Sequence, residues 1–270
     1  MKFYQYTCMA GLTVFRSIKS VASSSREKRR GEKNKPTREA AMKANQKAAE
    51  KKLAMKLNHN FKPGDYHITL TYDGEAPTPE EARKDKQNFL RRLKYECDKI
   101  GIEFKRIDVT EYLNARIHHH MVITHMDSDI INRAWKKGHV YFSTLNNTGD
   151  YSGLAMYLIK ETSKTFRDDS NPNKRRYSQS RNIVMPEIKR EIVSGRTLKQ
   201  DIKPLKGYML IEDSVNRYEH PFTHAECLDY MMIAIDKPRT KWPRGKTVKN
   251  IDKHIPLPYA EEQIKMGGLE

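Results

Sequence analysis

The chain has 270 residues and a formal net charge of +17, from 51 Lys and Arg against 34 Asp and Glu. No run approaches the ~20 uninterrupted apolar residues that a helix needs to span lipid, so no membrane-spanning helix is expected. Three widely spaced cysteines, Cys8, Cys97 and Cys227, exclude a disulfide scaffold and suit a reducing compartment. The charge surplus makes a polyanion the first partner to consider.

The surplus is concentrated. Residues 16–60 carry 14 Lys and Arg against 4 Asp and Glu, and residues 160–206 carry 13 against 6, which leaves the rest of the chain balanced. Two blocks of this kind read as phosphate-contacting surfaces rather than as a general solubility surplus.

In chain order, residues 3–15 follow Lys2 and loosely imitate a secretory leader. Their polar Gln5 and Thr7, interspersed aromatics and lack of a small-residue cleavage site point instead to an added strand or a short packed segment. Residues 23–36, which hold Arg29 and Arg30, are polar and charged and are expected to be disordered when free. Residues 37–58 read as a basic helix, with Leu53 and Leu57 four apart and Ala49 extending that face.

Residues 66–72 alternate as a strand does. Ile68, Leu70 and Tyr72 face one way, and His67, Thr69 and Thr71 the other. Thr78-Pro79-Glu80-Glu81 opens a helix, with Thr78 as N-cap, Pro79 at the first position and Glu81 closing a capping box. Phe89, Leu90, Leu93 and Cys97 form its apolar stripe, and Gly101 ends it. Strands are expected at 102–110, 117–125 and 139–145, a short helix at 129–137 and a longer one at 151–164. This order predicts an α+β fold: a ferredoxin-like split βαβ antiparallel sheet with helices on one face and the other face open. Three regions are expected: a basic N-terminal arm and helix (1–60), the sheet-and-helix domain (61–170), and a basic segment with a C-terminal extension (171–270).

The strand around His118-His119-His120 carries the chemistry. Parity puts Ile117, His119, Met121 and Ile123 on the packed face and His118, His120, Val122 and Thr124 on the other. Two imidazoles side by side are half of a divalent metal site. Glu111, one short connection upstream, supplies a third ligand if the two strands form a hairpin. In the helix that follows, Leu154, Ala155, Leu158 and Ile159 form the buried side, and Tyr157 and Lys160 are surface neighbours. A tyrosine hydroxyl near pKa 10 is a poor nucleophile, and an adjacent ammonium or a metal-bound phosphate would help it.

The strand at 67–72, the His118-x-His120 strand and the Tyr157-x-x-Lys160 helix occur in the order found in the HUH endonuclease superfamily. The chain resembles its single-tyrosine rolling-circle replication initiators of bacterial plasmids, phages and mobile elements, over roughly residues 60–185. The stretch Lys174-Arg175-Arg176 to Arg181 is similar to the Arg-rich segment after the tyrosine helix in such proteins. His119 departs from the pattern, which has a bulky apolar residue there; parity favours His118 and His120 as the metal pair. The resemblance implies Mg²⁺ or Mn²⁺ held by His118, His120 and Glu111, and nicking and joining of single-stranded origin DNA. Tyr157 would attack to form a 5′-phosphotyrosine link, with Lys160 orienting the phosphate. Arg116, Lys164, Lys174, Arg175, Arg176, Arg181, Arg29 and Arg30 are the expected DNA contacts. No phosphate-binding loop of the Gly-x4-Gly-Lys-Ser/Thr type is present, so a host helicase is expected alongside a host polymerase. The implied location is the cytoplasm of a bacterial host.

Two other readings use the same residues. A relaxase or tyrosine transposase would keep the chemistry and differ in its biology. A non-enzymatic nucleic-acid-binding protein would use Tyr66, Tyr72 and His120 as stacking platforms and form no covalent adduct. Beyond residue 186 the expectations are a strand at 207–211, a helix at 223–235 and an irregular Pro-containing end, with a role in origin recognition or in assembly as a homo-oligomer. Tyr177, Tyr208 and Tyr218 are candidate second tyrosines.

Overall fold

The computed structural model describes residues 2–21, 37–112, 116–163, 175–220 and 225–235. Arg29, Arg30, Lys164 and Lys174, the segment 23–36 and the Pro-containing end lie outside the described residues. A hairpin of β1 (Lys2–Ala10) and β2 (Thr13–Val21) is followed by α1 (Arg38–Asn60), β3 (Tyr66–Leu70), α2 (Pro79–Lys99), β4 (Arg106–Glu111) and β5 (His118–Ile123). Then come α3 (Ser128–Ala134), β6 (Val140–Thr144), α4 (Ser152–Ser163), β7 (Ser178–Gln179), β8 (Ile188–Val193), β9 (Tyr208–Glu219) and β10 (Glu226–Ala234). No helix among the described residues is long and apolar enough to cross a membrane.

The strands form two five-stranded antiparallel sheets. The middle of the chain gives the order β6-β3-β5-β4-β7. Its first four members stand as fourth, first, third and second in sequence, which is the split βαβ arrangement. Local signals place α2 well. The Thr78 hydroxyl accepts from the Glu81 amide at 3.3 Å, and a Glu81 carboxylate oxygen accepts from the Thr78 amide at 2.9 Å. Phe89, Leu93 and Cys97 on its buried stripe pack with Ile68, Leu70, Met121 and Ile123 and with Ile131 and Trp135 around α3. β4 begins at Arg106 rather than at 102, because the chain first crosses from α2 to the sheet.

The second face of this sheet is covered in part. Ile107, Val109 and Val122 pack with Leu53 and Leu57 of α1 and with Ala155, Leu158 and Ile159 of α4. The same cluster takes in Cys8, Ala10 and Phe15 of the hairpin, so α1 and α4 bridge the two sheets. At the tip of the hairpin, Gly11 has φ +59°, and a Cβ there would run into the Asn58 carbonyl of α1. That pairs an αL requirement with a close approach, and only glycine meets both.

The chain ends build the other sheet, in the order β8-β1-β2-β10-β9. The helix expected at 223–235 is instead strand β10, paired with β2 from Cys227–Lys19 to Ile233–Thr13 and with β9. Cys227, Leu228, Tyr230 and Met232 are all buried there, because a central strand is covered on both faces. Their near-continuous apolar run mimics helical spacing at residues 228, 231 and 232.

Candidate active site

Strand register assembles the site. Glu111 pairs with His118 and Val109 with His120, so the carboxylate and both imidazoles leave the sheet on one face. On the other flank of β5, Thr69 of β3 pairs with His120. The ligand atoms of Glu111, His118 and His120 all lie within 4.8 Å of one another. His118 Nε2 is 3.0 Å from His120 Nε2 and 3.3 Å from Glu111 Oε2.

The tautomers favour a shared cation. His118 Nδ1 lies 2.9 Å from the Arg116 carbonyl, which can only accept, so Nδ1 carries the hydrogen and Nε2 presents a lone pair. His120 Nδ1 lies 3.1 Å from the Thr69 hydroxyl, which can accept from it and hold the same tautomer. Two lone pairs and a carboxylate then converge, and such a donor set fits a divalent metal ion. Burial, reinforced by His118 and His67, pushes the His120 pKa down to about 3, which keeps this imidazole neutral and able to ligate near neutral pH.

Helix α4 brings Tyr157 to this group. Its first turn is pinned by Asn58 of α1, whose amide oxygen accepts from the Tyr151 amide at 2.8 Å, and by Asp150, which accepts from the Ser152 amide at 3.0 Å. The Tyr157 hydroxyl then sits 3.2 Å from His120 Nε2. Its ring stands edge-on to His120 at 5.3 Å and to His67 at 6.3 Å. Burial first, then the charges of Glu161 and Glu111, raise the phenol above its usual pKa, so the unaided hydroxyl is protonated.

His119 points to the other face, where it is buried in a polar chain. Tyr72 Oη lies 3.0 Å from its Nε2 and Thr110 Oγ1 2.8 Å from its Nδ1. Lys86 Nζ donates to Thr110 at 2.9 Å and pairs with Asp108 at 2.9 Å, and Arg106 pairs with the same carboxylate. This accounts for a histidine where a bulky apolar residue was expected. It also buries Tyr72, which removes that ring as a stacking platform.

Glu111, His118, His120 and Tyr157 are thus adjacent. Lys160 is exposed, one turn beyond Tyr157. Arg116 is exposed beside β5, its guanidinium donating to the Gly74 carbonyl. Arg176 donates to the Ser163 hydroxyl at 3.2 Å, and Arg175 and Arg181 are exposed. Tyr177 is drawn away from the group, its hydroxyl accepting from Lys56 of α1 at 3.1 Å. Two contributors were not anticipated: Thr69, which holds His120, and His67, whose ring stacks on His120 at 5.5 Å. The alternation of residues 66–72 had put both on this face.

Residues 65–166 match the family model of the replication-associated protein ORF2. The match supports a replication initiator, a protein that binds DNA. It spans β3 to the end of α4 and so contains Glu111, His118, His120, Tyr157 and Lys160. No curated protein and no solved structure matched the chain.

The Thr69 contact makes a prediction. Thr69→Val keeps the shape and removes the partner of His120 Nδ1. Mn²⁺ titration followed by electron paramagnetic resonance is expected to show affinity reduced by about 10-fold or more, with the melting temperature little changed. An unchanged affinity would mean that Thr69 does not orient the ligand.

Proposed function

We propose that this protein is a rolling-circle replication initiator of the HUH type, which nicks and rejoins single-stranded DNA at an origin through Tyr157. The observation that carries the reading is the Tyr157 hydroxyl 3.2 Å from a histidine of the Glu111–His118–His120 group. A nucleophile and a candidate metal centre come from opposite elements, α4 and β5, and meet on one face of the sheet.

In this mechanism Glu111, His118 and His120 hold Mg²⁺ or Mn²⁺, which when bound polarises the scissile phosphate. Tyr157 is placed for in-line attack by the pinned first turn of α4. Its phenolic oxygen forms the bond to phosphorus, the bond from phosphorus to the 3′ oxygen breaks, and that oxygen takes up a proton to leave as a 3′-hydroxyl. The protein stays joined to the 5′ end, and the reverse transfer reseals the strand. Lys160, on the same helix, neutralises charge on the transferring phosphate. Arg116, Arg175, Arg176 and Arg181 contact the backbone on either side. Residues 61–170 form the catalytic region, and the flanking regions grip DNA in the cytoplasm of a bacterial host. The free 3′-hydroxyl primes a host polymerase, with a host helicase opening the duplex.

The test is a reaction of the full chain with single-stranded origin oligonucleotides and Mn²⁺, followed by peptide mapping by mass spectrometry. A nucleotide mass added at Tyr157, lost in EDTA, is expected. An adduct on another tyrosine, or none on any cleaved substrate, would overturn the assignment.

A further inference from the structure

The sheet built by the chain ends has two faces, and one of them packs toward α1 and α4. The other holds a cleft of about 410 Å³ between β2, β10 and the stretch 197–203. That volume lies in the ~300–1,000 Å³ range of clefts that bind small ligands. Its base is Ile18, Leu228 and Tyr230, all buried. Its mouth carries Arg16, Gln200, Lys203 and one carboxylate, Asp201.

Arg16 sets the chemistry. It stands mid-strand in β2, between Thr7 of β1 and Tyr230 of β10. One guanidinium nitrogen donates to the Tyr230 hydroxyl at 3.4 Å. Its Nε is buried and has no hydrogen-bond partner among the described residues. A buried guanidinium donor left idle is costly, and an anionic oxygen entering the cleft would satisfy it. Lys203 adds a second cation on the facing wall. That wall is held in place before any ligand arrives: Arg217 of β9 donates to the Leu198 carbonyl and, at 3.1 Å, to the Gln200 carbonyl. Leu198 is itself buried with Val14, Ile18 and Leu228.

The two basic blocks of the sequence meet here. Arg16 opens the first, residues 16–60, and Lys203 belongs to the second, residues 160–206. Yet much of the first block is used internally, with Lys51 paired to Asp229 at 2.9 Å and Lys56 bonded to Gln179 at 2.5 Å. Arg16 keeps a donor to spare.

We infer that this cleft binds one nucleotide unit of single-stranded DNA away from the scissile phosphate. The phosphate lies against Arg16 Nε and Lys203, and the base against the apolar floor. The inference rests on the reading of the protein as a DNA-nicking initiator and adds a second, separate contact to it.

The experiment uses the full chain with a 40-residue oligothymidylate carrying 5-iodouracil, irradiated and mapped by mass spectrometry. Crosslinks to Tyr230 or to residues 197–203 are expected. In parallel, Arg16→Gln and Lys203→Gln together should weaken binding of the unmodified oligonucleotide about tenfold at 0.15 M salt. They should also lower the steepness of its salt dependence by about 1–1.5, the value for two lost single-strand phosphate contacts. Lys203→Gln alone, at an exposed position, still reads out half of that slope if Arg16→Gln fails to fold. Absence of crosslinks in this region, or an unchanged slope in a folded variant, would overturn the cleft. Loss of the crosslinks to an equal nucleotide concentration of free dTMP would also overturn it, by making the cleft a mononucleotide site. If the crosslinks form and Tyr157 never becomes modified, the nicking reading fails while the cleft stands. The reverse result sinks the cleft alone.

Discussion

Tyr157→Phe is expected to reduce strand cleavage by about 10⁴-fold or more and to abolish the covalent protein–DNA adduct. Single-turnover cleavage of a labelled oligonucleotide and denaturing gels for the adduct measure both. The substitution removes one oxygen from a residue that is 39% exposed and whose hydroxyl meets His120, so the fold should be unaffected. Metal affinity supplies a control with a defined sign. The Tyr157 hydroxyl and a bound cation compete for the same His120 Nε2 lone pair, so the variant should bind Mn²⁺ at least as tightly as the parent protein. Retained cleavage would remove Tyr157 as the nucleophile. Lost cleavage together with lost Mn²⁺ binding would instead mean that the hydroxyl helps to build the metal group.

The second large effect concerns stability. Asp108→Asn should destabilise the fold by about 3–5 kcal/mol. The carboxylate is 1% exposed and faces Lys86, itself 6% exposed, as well as Arg106. Removing its charge leaves two cations desolvated together without their counter-ion. Burial already pushes the Lys86 ammonium down to about 8. Urea denaturation should show a lower midpoint at an unchanged slope. Adding Lys86→Met to the variant should restore part of the loss, because an apolar side chain of similar length needs no counter-ion. A loss below about 1 kcal/mol would mean that water reaches the pair. The pair also supports the site from behind, since Lys86 holds Thr110, Thr110 holds His119, and His119 sits between the two histidines of the metal group.

Much of the site was legible because its logic is local. The alternation of a strand puts His118 and His120 together and sends His119 away, whatever surrounds them. The capping box and apolar stripe of α2 likewise depend on residues three and four apart, and both are present. The order of strands and helices was enough to name the split βαβ sheet, because short connections leave few ways to arrange six elements.

What needed the tertiary structure depends on partners far away in the chain. Residues 226–234 become a strand only because β2 and β9 offer ladders on both sides; their own apolar spacing reads equally well as helix. The distance from Tyr157 to His120 is set by Asn58, which lies 93 residues before the Tyr151 amide that it holds. The role of His119 is decided by Tyr72, Thr110 and Lys86, on three different segments. Arg16 counted as one positive charge among many until β10 and the loop after β8 enclosed its Nε. Periodicity and capping are short-range effects written in neighbouring residues. Burial and pairing belong to whatever the folded chain brings alongside, and that determines which histidine, which tyrosine and which arginine does chemistry.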